Sequence, residues 1–347
     1  MKRLSSILIF CFVLVAGVSF GQNRFSIVQF SQHRPFINPA SITLNSDINA
    51  ATVFRKQWVG FDGSPTTSLF DINGPVRASN NYVGFSAVGD FIGVNQEIMV
   101  SATYAYKAPI NKYSHISFGL SPSLVFLQSD LASVSTDFAG DPSFQVNPNA
   151  VLPNVRFGAY YDTKYYFLGI SSPSLLTNSL PGNNGGGGTS FNLSEIHYNI
   201  IGGYKREFKS KWIFYPTAMI SHVPGAPFQV EATMSMQFLD KFGGGVSYNT
   251  SKAISAMFNI NLNSNFKLAY AYTFGLNEVQ QYSSGSQEIM LLFGFWNRKK
   301  TIINMPKLLE EYKKNHEEKP KEIKNTVKET PTEEKPEGRQ PYSGKGE

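Results

Sequence analysis

The chain has a single cysteine, Cys11, in 347 residues. It lies in the apolar run that opens the chain, so everything after that run is without a thiol. Disulfides, cysteine-ligated metals and thiol nucleophiles are thereby excluded. After residue 21 no stretch approaches the roughly 20 consecutive apolar residues that a membrane helix needs. Charge is scarce, at 16% of residues. The net charge of +6 is spread along the chain and does not point to nucleic acid. Five histidines, His33, His115, His197, His222 and His316, are scattered without the close spacing of a metal site. No serine sits in G-x-S-x-G. His222, in "SHVPGAP", is the histidine best placed for a barrel-rim hydrolase, and a solvated loop residue is the simpler account. Gly185 to Gly188 lack the following Lys-Ser/Thr and helix of a phosphate loop, so they read as a loop tip. No enzyme activity, cofactor or metal is expected.

What is present begins with "MKRLSSILIFCFVLVAGVSFGQ". Lys2 and Arg3 precede an apolar stretch from Leu4 to Val18 and a small-x-small site at Ser19-Phe20-Gly21. This is the pattern of a secretory signal peptide cut after Gly21. A permanent anchor fits less well because the run is short. Cys11 follows Phe10 rather than a small residue, so lipidation is not expected.

Aromatic residues are abundant, with 28 Phe and 17 Tyr. From about Ile48 to Trp296 the chain is a series of strand-like segments. In "VEATMSMQF", Val230, Ala232, Met234, Met236 and Phe238 share one face, and Glu231, Thr233, Ser235 and Gln237 the other. "ISAMFNINL" and "FKLAYAYTF" repeat the alternation. A period of two places the two sets on opposite sides of a sheet. About fourteen such segments, most near the 9–11 residues of a tilted membrane strand, predict a barrel too wide to fill with its own side chains. Its polar face then lines a wet lumen and its apolar face meets lipid.

Connections provide a second signal. Numbered from Ile48, even-to-odd links are short, around Ser79-Asn80, Asn111, Asp162-Thr163, Lys209-Ser210, Asp240 and Ser264-Asn265. Odd-to-even links include the longest, from about Leu127 to Pro153, "NSLPGNNGGGGTS" and "NEVQQYSSGS". Short periplasmic turns alternating with long external loops mark an even-stranded outer-membrane barrel with both termini in the periplasm. Gly243 to Gly245, inside a strand, predict a bulge or a close approach. After "FGFWNRKK" the chain becomes rich in Lys, Glu and Pro, a composition that does not build a core. There Leu308, Leu309 and Tyr312 fall on one stripe of a short amphipathic helix, a periplasmic docking segment if it is not simply linker.

Two stretches carry a family resemblance. "VQFSQHRPFINPAS" contains Phe30, Ser31, Gln32, Asn38, Pro39 and Ala40; "RKQWVGFDGSPTT" contains Gln57, Trp58, Gly60, Phe61, Gly63 and Pro65. In this order they resemble the opening of the PorP/SprF family of type IX secretion system outer-membrane proteins of Bacteroidota, over roughly residues 22–298. Ser64 stands where the family often has alanine, and the tail after Lys300 has no match in the family core. The resemblance implies a component that binds, exports or retains at the surface large cargo with a C-terminal secretion domain, gliding adhesins included. It also implies periplasmic partners from the secretion and gliding machinery. A passive channel for small solutes is the alternative.

The expected organisation is a signal peptide (1–21), a periplasmic leader or lumen plug (22–47), an all-β, transmembrane antiparallel barrel of about 14 strands (48–298), and a charged, mostly disordered periplasmic tail (299–347). In the second motif, Trp58 fits the aromatic belt at the external end of the first strand. Gly60 and Gly63 permit turn geometry closed to other residues. Pro65 fixes the return into the next strand. The motif is thus either a specified turn or a contact to cargo through Phe61.

Overall fold

The computed structural model describes residues 27–77, 79–134, 147–179, 188–208 and 211–295. The expected signal peptide, Cys11, Gly185 to Gly187, Trp296, His316 and the tail with Leu308, Leu309 and Tyr312 lie outside the described residues.

Fourteen strands form a closed antiparallel barrel. They are β1 (Asn49–Lys56), β2 (Thr66–Pro75), β3 (Asn81–Ile92), β4 (Asn95–Asn111), β5 (Ser114–Ser129), β6 (Asn149–Thr163), β7 (Tyr166–Ser174), β8 (His197–Tyr204), β9 (Trp212–His222), β10 (Gln229–Phe238), β11 (Phe242–Asn249), β12 (Ala253–Asn261), β13 (Phe266–Gly275) and β14 (Ser286–Gly294). Each pairs with its sequence neighbours. β8 bridges β7 and β9, and β1 closes on β14 with Ala51 opposite Leu292 and Lys56 opposite Gln287. Closure leaves no open edge, the condition for a sheet to satisfy its backbone in lipid. A small ribbon, Thr177–Ser179 with Gly188–Ser190, decorates the β7–β8 connection.

The alternation resolves as the sequence predicts. In β10, Ala232, Met234 and Met236 point out, while Glu231 and Thr233 are buried inside. In β12, Ile254 and Phe258 point out and Ser255 and Asn259 in. β4, β5 and β6 are taller than the sequence pattern suggests, at 17, 16 and 15 residues. The short links are 76–80, 112–113, 164–165, 205–211, 239–241 and 262–265, all at one end. The opposite end carries 57–65, 130–148, 175–196 and 276–285, with tighter turns at 93–94, 223–228 and 250–252. By the rule for such barrels, that end is external. Gly243 to Gly245 pair in register with both neighbours, so there is no bulge. Two of them mark close approaches: the Asn259 side chain fills the space beside Gly243, and a side chain on Gly245 would strike Met234 O and Ser235.

Candidate functional site

The inner face is not uniformly polar, and the reason is a segment of chain inside it. Val53 in β1 is 3% exposed while its neighbour Phe54 is 51% exposed. Val53 joins Leu69, Val88, Met99, Val125 and Met290 in an inward apolar cluster around Ile27. A wet lumen alone does not call for these residues; a docked apolar chain does. Phe30 is likewise enclosed, with Tyr160, Phe167, Ile201 and Met219. Val28 packs on Met257 and Ala271, and Ile42 on Tyr82 and Ala105.

Polar contacts fix this leader at both ends. Oε2 and Oε1 of Glu288 in β14 accept the backbone N–H groups of Val28 and Gln29 at 2.9 and 3.0 Å. The Arg55 guanidinium stands 4.0 Å from the same carboxylate. Farther along, Arg156 Nη2 donates to the carbonyls of Pro35 and Phe36, each at 3.1 Å. Ser171 Oγ donates to Ile37 O at 2.8 Å, Thr43 Oγ1 to Ser117 Oγ at 2.8 Å, and Lys107 Nζ to Thr43 O at 3.2 Å. Arg34 lies over the Phe167 ring, 3.9 Å from its centroid, and donates to the hydroxyls of Tyr160 and Tyr215. His33 Nε2 is 3.6 Å from Asp71 Oδ1. Burial lowers the His33 pKa from its ordinary 6.5, and the Asp71 carboxylate opposes that shift.

The Asn-Pro-Ala motif has its own seat. Asn38 Nδ2 donates to the strand carbonyls of Ala159 and Ile170, at 3.0 and 3.1 Å. Its Oδ1 accepts Ala40 N–H at 2.9 Å and caps the short 3₁₀ turn Pro39–Leu44. Three glycines make the slot. A side chain on Gly119 would strike the Pro39–Ala40 backbone, and one on Gly158 or Gly169 would strike Asn38. Of the first motif, Phe30, Asn38, Pro39 and Ala40 are therefore buried, while Ser31 and Gln32 are half-buried beside a cavity of about 230 Å³.

The second motif is elsewhere, at the external rim. The turn 57–65 is hydrogen-bonded within itself by Gln57 N to Pro65 O, Phe61 N to Trp58 O and Ser64 N to Phe61 O. It is also tied to both neighbours: Gly93 N donates to Gly63 O, and Val59 exchanges bonds with Gly285 and Ser284. Trp58 N–H donates to Ser286 Oγ at 3.2 Å. Gly60 and Gly63 adopt φ of +96° and +69°, and Trp58, unusually for a large side chain, +47°. Gln57 and Pro65 are buried; Phe61 is half exposed.

Between the leader and the external loops lies a second cavity, of about 360 Å³, floored by Phe36 and Ile37 and walled by residues such as Asp90, Glu97, Leu127, Met219 and His222. The His222 ring stacks on Phe228 at 4.4 Å. Among the described residues no group of three His, Cys, Asp or Glu is placed to hold a metal. Glu288, Arg156 and the glycine triad of the barrel, and Arg34 of the leader, were not singled out from the sequence, because each is defined by a contact between leader and barrel.

No curated protein matches the sequence. Among solved structures, the CymD monoaromatic hydrocarbon channel is similar at a TM-score of 0.49 and 11% identity, over 81% of this chain and 95% of that one. The Ralstonia pickettii toluene transporter TbuX gives 0.45 and 9%, over 75% and 92%. A Pseudomonas aeruginosa FadL homologue gives 0.40 and 10%, over 75% and 93%. The family described as type IX secretion system membrane protein PorP/SprF matches residues 19–293. The chain belongs to the PorP/SprF family of type IX secretion system membrane proteins.

Proposed function

We propose that this outer-membrane component of type IX secretion holds cargo at its external mouth and does not pass it through its own lumen. The observation that carries the reading is the occupied interior: the leader is bonded to β5, β6, β7 and β14, and a separate cavity lies on each side of it. A translocating polypeptide has to displace all of those contacts. The external side instead offers a braced turn presenting Phe61 and a cavity floored by Phe36 and Ile37. The cargo in this reading is a large exported protein with a C-terminal secretion domain, such as a gliding adhesin. Periplasmic machinery engages the segment after Lys300, through Leu308, Leu309 and Tyr312.

The test uses the absence of cysteine from the barrel. Thr43 and Ser117 touch through their hydroxyls at 2.8 Å, so T43C together with S117C ties the leader to β5. Surface retention of cargo with the leader locked supports the reading. Loss of retention that returns on reduction shows that the lumen must open, and overturns it.

The passive solute channel is a second reading, favoured by the space left on both sides of the leader. Steady current through the wild-type protein in planar bilayers at neutral pH supports it; a closed baseline there removes it.

A further inference from the structure

We propose that the short-turn rim of the barrel binds the headgroups of anionic phospholipid in the periplasmic leaflet. The two rims differ in charge. At the short-turn end, every link except 262–265 carries a cation among the described residues: Arg77, Lys112, Lys164, Arg206, Lys211 and Lys241. Of the acids in those links, Glu207 is bound to Lys205 at 2.7 Å, which leaves Asp240 as the other. In the links at the long-loop end the described charged residues are Asp62, Asp130, Glu195 and Glu278 against Lys252, and Lys56, which ends β1 at that rim, is bonded to Ser64 O and Thr66 Oγ1.

The cations are also placed in a repeated way. Lys112, Lys164, Arg206 and Lys241 lie beside the rings of Tyr113, Tyr165, Phe208 and Phe242, at 5.6, 5.1, 5.4 and 5.5 Å from the centroids. Those rings are exposed, Tyr165 to 53%, Phe208 to 43% and Phe242 to 40%, in or directly beside the links at which the outward apolar rows stop. Ile110 and Tyr113 are 58% and 62% exposed on either side of Lys112. Aromatic residues at the end of an apolar row sit at the hydrocarbon boundary. A lysine or arginine immediately beside them carries its charge into the headgroup layer on an apolar stem. At that depth the anion within reach is a lipid phosphate, and a basic rim selects lipids with net negative charge. A docking face for an acidic soluble protein requires cations standing clear of the membrane, whereas these directly adjoin the aromatic belt.

The experiment is native mass spectrometry of the purified full-length protein in detergent, incubated with equal amounts of phosphatidylglycerol and phosphatidylethanolamine. The comparison protein carries K112Q, K164Q, R206Q and K241Q, with folding checked by heat-modifiable migration. Wild type is expected to retain phosphatidylglycerol by about threefold or more over phosphatidylethanolamine. The fourfold variant loses that preference, and K252Q at the other rim keeps it. Equal retention of the two lipids by wild type, or a preference that survives in the fourfold variant, overturns the proposal. So does displacement by inorganic phosphate at matched concentration, which marks a free-anion site. The outcome is independent of cargo retention.

Discussion

Asn38 occupies the space that a side chain on Gly158 would need. A glycine in the middle of a strand weakens it, so its presence calls for a reason. Here the reason is the leader: Gly119, Gly158 and Gly169 on three adjacent strands open a slot for Asn38-Pro39-Ala40. Gly158→Ala is expected to disturb the seating by about 1–3 kcal/mol of overpacking. In planar bilayers the variant shows current steps above the wild-type baseline. Gly202→Ala is the control, since a methyl there meets its nearest atoms at an ordinary 3.6 Å.

Glu288 is the leader's second anchor. Removing its carboxylate in Glu288→Ala leaves two buried backbone N–H groups without their acceptor, at a cost of about 1–3 kcal/mol. Glu288→Gln keeps one acceptor oxygen and replaces the other with a donor. Hydrogen exchange at Val28 and Gln29 is therefore expected to quicken in the order wild type, Gln, Ala. Equal protection in all three proteins means that apolar packing alone holds this end.

The barrel was legible in the sequence, and so was a leader able to plug it; the contacts that seat the leader were not. Glu231 and Met234 declare their faces through neighbours one residue away, and the short links declare the phase of the strands. Asn38, by contrast, bonds Ala159 and Ile170 at separations of 121 and 132 residues. No local pattern contains that pairing. The same limit explains the inward Val53, Leu69 and Val88: alternation predicts a polar lumen, and the docked Ile27 and Phe36 of the leader account for apolar residues there. The glycine triad reads in sequence as isolated strand glycines, although each marks a contact point. In the external turn, Gly60 and Gly63 were readable as positive-φ positions, while the braces to Gly93 and Gly285 depend on strand order.

The two turn glycines differ in a way that separates backbone strain from packing. At Gly60 a methyl meets nothing within 4 Å, so Gly60→Ala costs only the positive-φ backbone, about 1–2 kcal/mol. At Gly63 the methyl also meets Gly93 Cα at 3.2 Å, so Gly63→Ala shifts the turn against the β3–β4 link. Barrel assembly, read by heat-modifiable migration, is expected to be intact in both. Surface retention of cargo, read by immunolabelling of intact cells, falls in Gly63→Ala more than in Gly60→Ala. The reverse order separates the turn's position from cargo retention.

His33 makes the seating of the leader sensitive to pH. Its imidazole is buried against the leader's surroundings, and burial holds its pKa below the ordinary 6.5, with Asp71 at 3.6 Å partly compensating. The seated leader therefore keeps His33 neutral over a range in which a released leader, with the ring in water, takes up a proton. The released state binds more protons as pH falls, so acid favours release. The stabilising contribution is complete above about pH 6.5 and is lost progressively below it. Channel current from wild type is expected to rise as pH is lowered from about 7.5 to about 5.5, centred below the free-histidine value. His33→Gln, which cannot titrate, gives a flat profile over the same interval. A rise of equal size in His33→Gln assigns the pH response to other groups and leaves the His33–Asp71 contact a structural one.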